Sequence, residues 1–121
     1  MSCVLRISVP NLETALQNLS ISPYRVDKGT AHFDVSDANF DNFNGQIEDA
    51  ITFLSSNGTD VKLLMSKPNA TGDLDFGIDW RNVVAQFDTL PAVLVRLAGE
   101  LGLDLTLSHY SPAFDDNNAE A

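Results

Sequence analysis

The chain has 121 residues, 44% of them hydrophobic, with 17 acidic against 7 basic side chains and a net charge of −10. That length and composition suit one globular domain with a core of its own and exclude a disordered chain. The charge excludes the Lys/Arg footprint that a phosphate backbone needs, disfavours an anionic membrane surface, and suits a basic protein as partner.

Cys3, Leu5, Ile7 and Val9 alternate with Ser2, Val4, Arg6 and Ser8, and this period of two predicts a first strand. Pro10 and Asn11 end it, and Asn11 is a helix-capping type. Leu12, Ala15, Leu16 and Leu19 follow the spacing of an amphipathic helix. Pro23 forces extended chain, a weak strand fits 24–26, and Lys28-Gly29-Thr30 reads as a turn. Ala31, Phe33 and Val35 then alternate with His32 and Asp34 in a second main strand. Capping types crowd 36–41, and Phe43, Ile47, Ala50, Ile51 and Leu54 form the stripe of the next helix. Asn57-Gly58 breaks it, and Thr59 can cap a short successor carrying Val61, Leu64 and Met65, ended by Pro68 and Asn69.

Residues 73–80 alternate without a slip. Leu74, Phe76, Ile78 and Trp80 share one face of a third strand, and Asp73, Asp75, Gly77 and Asp79 share the other. Pro91 opens a last helix with Val93, Leu94, Leu97, Ala98 and Leu101 as its stripe, and Gly102 is placed to end it. Leu103, Leu105 and Leu107 mark the closing strand. Residues 1–110 therefore read as a single domain, and the polar, acidic 111–121 as a frayed tail.

This order predicts an α+β fold: a four-stranded, mostly antiparallel or mixed sheet with helices on one face, ferredoxin-like or a related two-layer sandwich. The two middle helices are expected to form a hairpin that sets the third main strand antiparallel to the second. One core is expected from Leu5, Ile7, Leu16, Phe33, Ile47, Ile51, Leu54, Phe76, Ile78, Leu94, Leu97, Leu101 and Leu105.

Cys3 is the only cysteine, so no internal disulfide forms, and its place on an apolar face marks an inert core thiol. No basic segment leads into an apolar stretch of signal-peptide length, and the apolar run at 90–95 is far short of a membrane span. The Asn-x-Ser/Thr triplets at Asn18, Asn57 and Asn69 then read as chance matches, and a cytoplasmic protein is expected.

Asp73, Asp75 and Asp79 invite comparison with a hard-cation site. Residues two apart on a strand lie about 7 Å apart, however, and the calcium-loop pattern of glycine and glutamate is absent. Neither a metal nor a cofactor is expected. His32 and Asp34 share a strand face and are candidates for an acid–base pair, but no Gly-x-Ser-x-Gly elbow accompanies them. His109 continues the Leu103/Leu105/Leu107 face as a core-edge histidine. Arg81 points outward beside Asp79 and is expected to pair with it, while Trp80-Arg81 also combines two favoured interface anchors. No phosphate loop, dinucleotide fingerprint, zinc spacing or basic–aromatic patch occurs.

Met1 to Ile7, Gly45-Gln46-Ile47-Glu48-Asp49-Ala50-Ile51, Leu74-Asp75-Phe76-Gly77-Ile78 and Arg96-Leu97-Ala98-Gly99-Glu100-Leu101-Gly102-Leu103 occur in this order along the chain. In these segments the chain resembles small acidic single-domain bacterial proteins of uncharacterised function. The resemblance implies a bacterial cytoplasmic origin and supplies no activity and no catalytic residue.

The leading functional expectation is a non-enzymatic protein-binding module of toxin-neutralising, immunity-like type. Its contact residues would be Asp73, Asp75, Asp79 and Arg81, and its partner basic. Two alternatives accompany it: a ligand-binding protein or enzyme using His32 and Asp34, and a nucleic-acid mimic whose carboxylates stand in for phosphates.

Overall fold

The first strand, β1 (Cys3–Ser8), has side chains to bury on both faces, and the rest of the chain is arranged around it. Cys3, Leu5 and Ile7 are fully buried on one side, and Val4 is nearly so on the other. Four further strands follow: β2 (Arg25–Asp27), β3 (Thr30–Ser36), β4 (Thr71–Asp79) and β5 (Asp104–Tyr110). In a computed structural model, which describes residues 1–111, they form one mixed sheet in the order β2-β3-β1-β4-β5. The tail expected over 111–121 lies, from residue 112 on, outside the described residues.

β1 pairs antiparallel with both β3 and β4, so β3 and β4 point the same way on either side of it. This corrects the expected hairpin. Between them run helices α2 (Phe43–Ser56) and α3 (Gly58–Met65), which act together as one crossover above β1. Residues 37–70 are ample for such a connection, and crossing over gives β1 a partner on each edge. Helix α4 (Ala92–Glu100) makes a second crossover, from β4 to its parallel neighbour β5. The sheet thus has five strands and a parallel pair at one edge, where the sequence suggested four strands and a ferredoxin-like sandwich. The weak strand at 24–26 is present one residue later, as edge strand β2. It is held to β3 by a two-residue turn in which Lys28 and Gly29 have φ of 52° and 80°. Two consecutive positive φ angles are the signature of the type I′ hairpin, whose twist matches that of the strands.

Helix α1 (Leu12–Leu16) and the other three helices bury their apolar residues against one face of the sheet. Leu54, Val61, Leu64, Leu94 and Ala98 pack over Leu5, Ile7, Phe33, Leu74, Phe76 and Ile78. Phe43 meets Phe76 edge to face at 5.6 Å between ring centres. Leu16, Ile51, Leu97, Leu101 and Leu105, expected in the core, are only half-buried. They lie on the flanks of their helices or on the outermost strand, where one side has no neighbour.

Two buried polar side chains fasten the connections. Asp60, in the first turn of α3, accepts from the Ser20 amide (2.9 Å), the Ser20 hydroxyl (2.7 Å) and the Ile21 amide (3.2 Å). The Ser20 hydroxyl chiefly, with the two amides, holds its carboxyl below the usual range. Gln46, fully buried on α2, donates through Nε2 to the Gly77 carbonyl at 2.7 Å and to the Asn39 carbonyl at 3.4 Å. It ties the 37–42 loop and α2 to β4 where β1 has already ended. Among the described residues, no helix is long and apolar enough to cross a membrane.

Leu94→Ala removes a fully buried side chain and is expected to cost about 2–5 kcal/mol. Leu97→Ala, on the half-buried flank of the same helix, is expected to cost less. Urea denaturation midpoints of the two variants check both the size and the order of these effects.

Candidate functional site

The sheet face away from the helices carries Val4, Arg6 and Ser8 from β1, His32 and Asp34 from β3, Asp73 and Asp75 from β4, and Thr106 and Ser108 from β5. The register sets Arg25, His32, Arg6, Asp73 and Asp104 in one row across all five strands. Strand pairing therefore delivers an arginine of β1 to the carboxylates of β4. Arg6 Nη1 lies 2.9 Å from Asp75 Oδ2 and 3.6 Å from Asp73 Oδ2. The Ser108 hydroxyl donates to Asp75 at 2.6 Å and the Thr106 hydroxyl to Asp73 at 2.5 Å. The hydrogen bond to Asp75 holds the Arg6 guanidinium above its ordinary value, against a smaller opposing effect of burial. Asp73 and Asp75 do share one outer face, but it is not a bare acidic surface. Arg6 occupies the place between them that a cation would take. Among the described residues no three His, Cys, Asp or Glu side chains group as metal ligands.

His32 is 7% exposed, lies across the ladder from Arg6 and Arg25, and has the Tyr24 ring 6.1 Å away. Burial, then the charges of Arg25 and Arg6, push its pKa down. Asp34 is turned toward Asp37 instead, and burial with that second carboxylate pushes its pKa up. The structure does not join His32 and Asp34 by a hydrogen bond. Cys3 lies on the opposite, helix-covered face. Burial first, then the carboxylate of Asp75, drive its thiol far up, so the thiolate is suppressed.

At the C-terminal end of β4 the outer face is closed by a loop. A Cβ on Gly77 would come within 2.7 Å of the Phe40 ring, so glycine there lets Phe40 approach the sheet closely. Phe40 also meets Tyr110 edge on at 5.4 Å, and its carbonyl accepts from the Asp79 amide at 3.1 Å. Asp79 is held by its backbone, while Arg81 turns away from it. The expected Asp79–Arg81 pair gives way to Arg81 Nη1 with Asp88 Oδ1 at 3.7 Å. Asn82, with a φ of 56°, turns the chain after the strand, and the Arg81 amide bonds to Gln86, so that Asp88 and not Asp79 comes within reach of the guanidinium.

Asp88 organises this end of the molecule. Its side chain is 8% exposed and is reached by Gln86 Nε2 (2.8 Å), His109 Nε2 (3.6 Å) and Arg81. Gln86 also donates to the Asp79 carbonyl (3.1 Å) and accepts from the Arg81 amide (3.0 Å). His109 is packed edge on against Trp80 at 6.2 Å. With its polar groups turned inward, the loop at 80–91, between β4 and α4, presents apolar ones outward: Val84 is fully exposed, Phe87 85% exposed and Val83 about half exposed. A shallow cleft of about 390 Å³ separates the loop from the start of α2, with Asp41, Asn44, Arg81 and Phe87 on its walls. At the opposite end of the sheet an apolar groove of about 490 Å³ runs between α1 and α3, lined by Ala15, Leu19, Leu63 and Pro68.

Sequence reasoning placed Asp73, Asp75, Asp79 and Arg81 on or beside β4 but missed Arg6, Gln86 and Asp88. The only signal of the loop was negative: Val83, Val84 and Phe87 fit neither a strand nor a helix period. No family model, curated protein or solved structure matches the chain.

The depressed pKa of His32 has a consequence for stability. The fold favours the neutral imidazole, so the unfolded chain binds the extra proton, and stability is lost as pH falls through the ordinary value of 6.5. Wild type is expected to lose more of its urea midpoint than His32→Gln between pH 7.5 and pH 5.5. Equal losses would mean that His32 is not held neutral.

Proposed function

We propose that this chain is a non-enzymatic protein-binding module whose contact surface is centred on the loop at 80–91. The observation that carries this reading is a loop closed on itself by Asp88 that nevertheless holds Val84 and Phe87 almost entirely in solvent. Single exposed apolar side chains are ordinary. Two of them on one internally clamped loop, bordered by Asp41, Asp79 and Arg81, have the apolar-centre, polar-rim character of a recognition surface. The net charge of −10 favours a basic surface on the partner. A toxin-neutralising protein is the form of this function that the chain's size and charge fit.

The contact set expected from sequence shifts accordingly. Asp79 and Arg81 remain beside the loop, whereas Asp73 and Asp75 already share Arg6 and offer a partner little free charge. The same pairing weakens the reading as a nucleic-acid mimic, and the separation of His32 from Asp34 weakens the enzyme reading.

Tagged wild-type protein and a Val84→Ala/Phe87→Ala variant, each exposed at low salt to an extract of the source organism, provide the test. The variant is expected to lose the salt-sensitive partner with its urea midpoint unchanged, since truncating a central aromatic anchor costs about 2 kcal/mol or more. Equal recovery of one partner by both proteins would remove the loop from the interface.

A further inference from the structure

The geometry points to strand addition at the outer edge of β5, by an extended segment of a partner that alternates basic and apolar side chains. This inference rests on the protein-binding reading above and names how such a partner docks.

Among the described residues the sheet has two edges, β2 and β5, and only that of β2 is blunted. β2 spans three exposed residues, and its Arg25 and Asp27 face each other at 3.6 Å. Short, charged edges of this kind resist further pairing. β5 spans seven residues in continuous register with β4, contains neither proline nor lysine, and carries one carboxylate, Asp104. The bond from the Trp80 amide to the Tyr110 carbonyl fixes which of its backbone groups are used. In a parallel ladder of this register, Thr106, Ser108 and Tyr110 turn their N–H and C=O toward β4. Leu105, Leu107 and His109 therefore turn theirs outward, where no hydrogen bond meets them among the described residues.

Side chains at this edge state what the added strand must carry. On the helix side, Leu105 and Leu107 are only half-buried, although Leu74 and Phe76, their partners on β4, are wholly buried. Above them, α4 directs Leu97 and Leu101 toward Leu54 and Lys62 of α2 and α3. At about 100° per residue, Val95 then falls on the opposite flank of α4, away from α2 and α3, and it is 46% exposed. Apolar side chains of an incoming strand would complete this strip. On the outer side, the edge presents the exposed carboxylate of Asp104, followed by Thr106, Ser108 and Tyr110. Basic side chains match that face, as they match the net charge. Since side chains alternate along a strand, the two requirements together specify a Lys/Arg–apolar alternation. A second copy of this chain is disfavoured as occupant, because it would bring another −10 charge to the same edge.

The probe is an acetylated, amidated Lys-Val-Lys-Val-Lys-Val-Lys peptide, and the readout is hydrogen exchange of the full chain followed amide by amide by NMR. At millimolar peptide, the Leu105, Leu107 and His109 amides are expected to slow at least tenfold. The Thr106 and Ser108 amides, already paired, should change far less. A Lys-Lys-Lys-Lys-Val-Val-Val peptide of the same charge should give no such pattern, and neither should the alternating peptide with the Asp104→Lys variant. Absence of protection at the three amides overturns the proposal. If the peptide binds while the edge amides stay unprotected, the docking mode falls and the protein-binding reading survives. Protection that rises with protein concentration alone would make a second copy the occupant and overturn the assignment of a basic segment.

Discussion

A six-residue strand in the middle of the sheet must satisfy two ladders and two faces at once, and everything else follows from how β1 does so. Its inner face is settled by Cys3, Leu5 and Ile7, which α2 and α3 help to cover as the chain crosses from β3 to β4. Its outer face is settled by pairing. Ser8 meets the Thr30 hydroxyl at 2.6 Å, and Arg6 meets the two carboxylates of β4. An arginine at the centre of a sheet face that no helix covers among the described residues keeps its stem on the sheet and its charge on a partner, which is how such side chains tolerate partial burial. The strand that builds the core thereby also neutralises the surface that looked most functional.

Features carried by one stretch of chain were legible in advance. The alternation of 73–80 placed Leu74, Phe76 and Ile78 inside, Lys28-Gly29 turned the chain, and Asn57-Gly58 separated α2 from α3. Strand order was not legible, because pairing joins residues remote in sequence and local periodicity is blind to it. The Arg6–Asp75 pair spans 69 positions and exists only because β1 and β4 are neighbours. Asp88 failed for a different reason. One carboxylate among 17 acidic residues carries no pattern, and its role depends on Gln86, Arg81 and His109 converging from the loop and from β5.

The distribution of charge then separates two contributions to binding. Asp37, Asp41, Asp49 and Asp104 are exposed and scattered over several elements, and at moderate ionic strength they act together as a field more than as contacts. Such a field raises the rate at which a basic partner arrives but contributes little to how long it stays. Residence depends on apolar area and on satisfied hydrogen bonds. On this molecule those are offered by Val84 and Phe87 on the loop and by the amides and carbonyls that β5 turns outward, which meet no hydrogen bond among the described residues.

His109 connects those two places. Its backbone turns outward at the edge of β5, while its imidazole faces the Asp88 carboxylate that closes the loop. A strand laid along β5 would fix the His109 backbone, and with it one of the groups that hold Asp88 and hence the posture of Phe87. The coupling runs equally in reverse, since a partner that orders the loop lowers the entropic cost of pairing at the edge. A partner engaging both would thus gain more than the sum of two separate contacts. That outcome requires no movement of the sheet, because Trp80 and Phe40 already anchor the ends of β4 and β5 to each other and to the body of the fold.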